Sequence, residues 1–188
     1  MTVSNFHTYQ MNNTTEVIHG HIATHIFEDD GRFPNNPRLP VLVYKGALHL
    51  RPGDDVNAIQ KLFAQHNWTN SWQDSVFDYD HYHSTAHEVL GVFSGLADIY
   101  LGGPNGTCVE LVRGDVVIIP AGVAHKNINA SSDFLCVGAY AEGREYDMNY
   151  GKEEERVKAV EDITNVPFPN LDPVFGDKGG LLEHWSNG

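Results

Sequence analysis

A chain of 188 residues can bury a useful core as one domain, and no apolar run approaches the roughly 18 residues of a membrane span. Lys and Arg number 12 against 25 Asp and Glu, a formal charge of −13 that repels nucleic-acid phosphate and anionic lipid. Partners of either kind are therefore not expected.

The leading segment, 1–13, lacks the basic start and apolar core of a signal peptide. With Cys108 and Cys136 both in apolar runs, the expectation is a cytoplasmic protein with two reduced, packed thiols. Sequons at Asn13, Asn67 and Asn105 are short enough to arise by chance. Residues 1–40 read as an N-terminal arm with one possible strand over 21–28. The proline- and asparagine-rich stretch 32–40 reads as irregular. Extended segments follow from Val41. Asp54 or Asp55 can cap a helix near 56–66 that carries Val56, Ile59, Leu62 and Phe63 on one face.

From Val76 onward short β-rich runs are punctuated by glycine, over 76–83, 88–93, 96–101, 108–112, 116–120 and 134–140. Strands this close, with no helices between them, point to an antiparallel sandwich or barrel. A helix over 152–163 should bury a stripe of Val157, Val160 and Ile163, and the tail to Gly188 reads as an irregular strap.

The chemistry concentrates in two places. On a strand, His81 and His83 project to the same side about 6–7 Å apart. Glu88 opens the next run on the face of Leu90 and Val92, so an antiparallel return would bring its carboxylate back to them. Later, Gly114 begins a strand that Pro120 ends, and Gly122 can take the positive φ of a turn that aims His125 inward. Three imidazoles and a carboxylate are costly to bury unless something pairs them.

These residues carry a resemblance. His81-x-His83, four residues, Glu88, six residues, Gly95 is similar to the first cupin motif. Gly114, five residues, Pro120-x-Gly122, two residues, His125, three residues, Asn129 is similar to the second, with 18 residues (96–113) between the motifs. The glycine usual six residues before the first histidine is Ser75 here, a turn position rather than a ligand. Asp30-Gly31, the Pro34 to Pro37 stretch, the run from His81 to Gly91, and Asp172 to Gly176 further resemble the YjlB-like branch of single-domain cupins. The resemblance implies an all-β dominated fold, the cupin double-stranded β-helix or jelly-roll barrel. One helix would precede the first motif and another lie near the C-terminus. A single domain 1–188 would divide into the arm (1–40), the barrel (41–145) and a C-terminal helix and tail (146–188). It also implies one divalent transition metal ion on His81, His83, Glu88 and His125. That mixed N/O set suits Fe, Mn, Ni or Zn among others.

Neighbouring residues read less sharply. His87 should face away from Glu88, on the surface or behind the ligands. His19, His21 and His25 form a tempting group without a later partner and read as a solvated or packed strand. Phe77 and Tyr79 share the parity of His81 and should face into the barrel. Tyr79 is thus a candidate catalytic base or a core aromatic, and Tyr140 carries the same ambiguity. Asn129 more naturally shapes a turn. Lys and Arg are scarce near the motifs, which disfavours a highly charged phosphate substrate.

Three functions fit this reading: a metal-dependent dioxygenase or isomerase acting on a small organic molecule, a binding or sensing cupin without turnover, or a fold merely stapled by metal. Metal occupancy should fall below about pH 6, because the ligands must be neutral imidazoles. Exposed extended segments over 20–50 lead to the expectation of a homodimer.

Overall fold

The computed structural model describes residues 8–10, 16–18, 20–53 and 56–185. The expectations for most of the leading segment, Asn13, His19 and the capping Asp54 or Asp55 lie outside them. In chain order the strands of the first half are β1 (Thr8–Gln10), β2 (Glu16–Ile18), β3 (Ile22–Phe27), β4 (Asn36–Tyr44) and β5 (Leu48–His49), followed by helix α1 (Val56–Gln65) and β6 (Trp68–Asp74). Next come β7 (Glu88–Ser94), β8 (Leu96–Leu101), β9 (Thr107–Val112), β10 (Val116–Ile119), β11 (His125–Ala130) and β12 (Leu135–Ala141). Helices α2 (Glu153–Asn165) and α3 (Gly180–His184) close the chain.

Every ladder is antiparallel. A six-stranded sheet in the order β3-β4-β10-β7-β12-β6 faces a three-stranded sheet in the order β11-β8-β9, and β1-β2-β5 form a small third sheet. The double-stranded β-helix is present, but the sheets form no closed barrel: the two main layers are joined at their ends by turns at Gly95, Gly114, 120–124 and 131–134. Strand alternation buries both faces of the large sheet. Val41, Val43, Leu90, Val92 and Ile119 meet Ile99, Leu101 and Leu111 of the small sheet. Leu42, Tyr44, Val89 and Val137 meet α1 and the C-terminal tail through Ile59, Phe63, Val174, Leu181 and Trp185.

Four expectations need correction. The stretch 36–40 is the start of β4, so the β-structure begins before residue 41. Pro37 and Pro40 are tolerated because the β10 ladder stops at Leu42 and the β3 ladder is bulged between His25 and Phe27, where missing N–H donors cost little. The strand expected over 76–83 is instead an irregular segment with isolated bridges at His81 and Tyr82. The strand on that edge of the large sheet is β6 (β3 forms the other edge), whose polar, half-solvated sequence hides its alternation. Helix α2 turns Ala159 inward and leaves Val157 83% exposed, so Val157 and Val160 are not its buried stripe. Cys136 is a buried free thiol, whereas Cys108 points out of β9 and is exposed. Among the described residues no helix is long and apolar enough to cross a membrane.

Candidate metal centre

His81 and His125 exchange backbone hydrogen bonds (3.2 and 2.9 Å), which sets their rings 4.2 Å apart between centroids. His83 follows with its ring 5.8 Å from His125. One ligand atom from each of the three buried histidines lies within 4.8 Å of the others. Glu88 opens β7 opposite Ile119 and Tyr140, with its carboxylate 3.2 Å from His125 Nε2 and 3.6 Å from His83 Nε2. The four residues named by the two motifs therefore converge on the inner face.

The turn that delivers His125 is held by residues read as an irregular arm. Asn35 accepts from the Ala124 N–H (3.1 Å) and donates to the Glu28 and Gly102 carbonyls, and Asn36 donates to the Ala121 carbonyl (2.9 Å). Gly122 has φ 99°, and a Cβ there would stand 2.3 Å from the Asn35 carbonyl oxygen, so only glycine fits. From behind, His87 Nδ1 accepts the Ala121 N–H (2.9 Å) while its ring packs on Trp185. His87 does face away from Glu88, but into the rear core, where it is buried rather than on the surface. Burial pushes its pKa down to about 3.

Each histidine of the cluster directs Nδ1 at a backbone carbonyl: His81 at Tyr79 (3.0 Å), His83 at Asp147 (2.6 Å) and His125 at Val123 (3.0 Å). A carbonyl only accepts, so Nδ1 carries a proton and Nε2 is the nitrogen turned toward the centre, the orientation that outer partners give metal-ligating histidines. Glu88 Oε1 accepts from the Tyr140 hydroxyl (3.0 Å), and the buried Oε2 has no hydrogen-bond partner. Burial, with the charge of His125 beside it, drives the His81 pKa down to about 3 and keeps its lone pair free. Burial also opposes protonation of His83, but the Glu88 charge and hydrogen bonding outweigh it and raise that pKa. Burial would raise Glu88, yet the two histidines hold its carboxyl well below the usual range. Three imidazole nitrogens beside a buried carboxylate make a mixed N/O donor set that fits a divalent transition metal.

Tyr79 is placed differently from its expectation. Strand parity fails where there is no ladder, and the side chain lies outside, 42% exposed, in a shallow groove with Arg32, Asp80, Lys126 and Tyr150. Phe77, stacked on Tyr79, does line the inner cavity. The phenol that reaches the cluster is Tyr140, which in turn accepts from Trp72 Nε1 (2.9 Å). His21 is exposed and His25 half-buried on β3, outside the cluster. Asn129 lies within β11, not a turn, and donates to Asp98 (3.2 Å). Asp147 was not singled out in the sequence. Its carboxylate accepts from the Ser84 and Thr85 backbone N–H groups and from Asn149, which clips its loop to the first motif and places the carbonyl that orients His83.

An antiparallel two-sheet jelly roll with His81, His83, Glu88 and His125 gathered on its inner face at both motif spacings defines a cupin. Within that class the chain belongs to the YjlB family: it is 44% identical over 162 residues to the uncharacterised protein YjlB of Bacillus subtilis, covering 86% of this chain and 95% of that one. No family model matches the chain. Among solved structures, a vicilin from Solanum melongena is similar at 24% identity and a TM-score of 0.35, over 43% of this chain and 24% of the vicilin, so this chain spans about a quarter of its length. An uncharacterised protein with a double-stranded β-helix domain from Klebsiella pneumoniae is similar at 20% identity and a TM-score of 0.35, over 63% of this chain and 79% of that one.

Proposed function

We propose that His81, His83, His125 and Glu88 hold one divalent transition metal ion, and that the protein is a metal-dependent enzyme of the oxygenase or isomerase type acting on a small organic molecule. The observation that carries this reading is the inward aim of three Nε2 nitrogens, fixed by three Nδ1-to-carbonyl bonds, beside the partnerless Oε2 of Glu88. A bound metal would supply Lewis acidity or a seat for oxygen. The chain's own part is orientation. Tyr140 holds one oxygen of Glu88 by donating to it, leaving the other for the centre. Burial and the Glu88 charge raise its pKa, so it stays protonated at neutral pH.

Elemental analysis of protein purified without a metal-affinity tag tests the reading. About one equivalent of a transition metal is expected in the wild type and much less in His83→Ala. Absence of metal from both, even after incubation with Fe(II), Mn(II), Ni(II) and Zn(II), would overturn it. Oxygen uptake or substrate turnover in a metabolite panel then separates an enzyme from a binding cupin.

A further inference from the structure

Beside the cluster lies a cavity of about 200 Å³, lined by Trp72, Phe77, Leu90, Tyr140, Tyr146 and Met148 in addition to the four ligands and the 73–76 segment. Resting on the metal reading above, we propose that it takes a compact, flat, uncharged molecule no larger than one substituted ring. The polar edge of that molecule would face the histidines, and molecules with an ionised group remote from that edge would be rejected.

Size comes first. A cavity of about 150 Å³ suffices for benzene, whereas pockets for drug-sized ligands run to about 300–1,000 Å³. The walls come next. The indole N–H of Trp72 is spent on the Tyr140 hydroxyl (2.9 Å) and that hydroxyl on Glu88 (3.0 Å), so both rings offer the cavity apolar surface rather than free donors. A Cβ at Gly138 would lie 2.1 Å from the Trp72 ring, so glycine lets the indole lie directly against β12. Tyr146 stacks on Tyr140 (4.4 Å, 19° between planes) and stands edge-on to His83 at 5.0 Å.

Charge decides the rest. No Lys or Arg lines the cavity, and the charged lining group besides the ligands is Asp74. Arg32 and Lys126 lie in the separate outer groove, where Lys126 is paired with Asp80 (2.9 Å) and Arg32 donates to the Gly151 and Tyr150 carbonyls. A phosphate, or a carboxylate away from the cluster, would meet the Asp74 carboxylate and ring faces with no counter-charge to offset the repulsion.

Catechol and 3,4-dihydroxybenzoate, which differ by one carboxylate, test this on Zn(II)-loaded and metal-free protein, read by quenching of tryptophan emission and by calorimetry. Catechol is expected to bind at least tenfold tighter in both forms, because the preference comes from the walls. Tyr146→Ala should weaken catechol at least threefold and leave zinc stoichiometry unchanged. Equal or tighter binding of the carboxylate, or no catechol binding by protein holding one zinc, would overturn the proposed ligand class. Failure to hold zinc, with the catechol preference intact in metal-free protein, would overturn the metal reading alone.

Discussion

The large sheet carries a buried polar cluster on each face, and the two are finished differently. At the rear, Asp172 Oδ1 accepts from the N–H groups of Val174 (2.8 Å) and Phe175 (3.0 Å), and Oδ2 accepts from the Tyr44 hydroxyl and the Leu181 N–H (3.1 Å). Around it, His66 Nδ1 meets the Pro173 carbonyl, Trp68 donates to Leu171, and Trp185 donates to Pro40. Both carboxylate oxygens are used, and the result is a clasp for the C-terminal strap. At the front, Glu88 uses one oxygen and leaves the other buried and unpartnered. Asp172 is satisfied within the fold and fixes the chain, whereas the second Glu88 oxygen has only His125 Nε2 beside it, at 3.2 Å.

The largest effect should therefore come from the rear. Asp172→Ala leaves four donors without their acceptor, each worth about 1–3 kcal/mol, so a loss of at least about 4 kcal/mol is expected in urea denaturation, with metal uptake by the folded fraction unchanged. At the front, His83→Ala should lower metal affinity more than about a hundredfold, beyond the 10–100-fold range of outer partners, as measured by competition with a chromophoric chelator. Its cost to stability should be less than half that of Asp172→Ala. A reversal of these two outcomes would show the clusters to have exchanged roles. Tyr140→Phe should weaken metal binding by about tenfold, since it frees the Glu88 oxygen that the phenol holds.

The front cluster was legible in the sequence because it is made of side chains, whose spacing survives translation into letters. What supports it was not. The acceptors that orient His81, His83 and His125 are main-chain carbonyls of Tyr79, Asp147 and Val123, and a carbonyl has no residue signature. Asn35 and Asn36 were visible as a family signature but read as irregular chain. Their role appears only when β4 brings them against a turn some 85 residues away. The jelly-roll strands over 88–101 and 107–119 were readable as short β-rich runs punctuated by glycine. The polar edge strand β6 was not, because half its residues face water.

The rear cluster also has a pH signature. Burial, then the charge of Asp172, raises the Tyr44 pKa above its ordinary value. A tyrosine raised in the fold contributes its stability below the unfolded value of about 10 and loses it as pH climbs, because the unfolded chain ionises first, at up to about 1.4 kcal/mol per pH unit. Tyr44→Phe, less stable than wild type at neutral pH, should close part of that gap between pH 10 and 11. A constant gap would mean that Tyr44 ionises equally in both states.

Tyr79 provides the smallest effect and the test of strand parity as a guide. Its carbonyl orients His81, but its ring lies outside, stacked on Phe77 at 5.0 Å and tilted against Tyr150 at 6.0 Å. Removing the hydroxyl alone leaves the carbonyl and both ring contacts in place. Tyr79→Phe should then hold metal within about twofold of wild type and change stability by no more than about 0.5 kcal/mol, as exposed substitutions do. The same change at Tyr140 acts on Glu88 directly, so the two phenols should separate by about fivefold in metal affinity. If they do not, the 76–80 segment must swing inward in solution and bring Tyr79 to the cluster that its parity with His81 had assigned it.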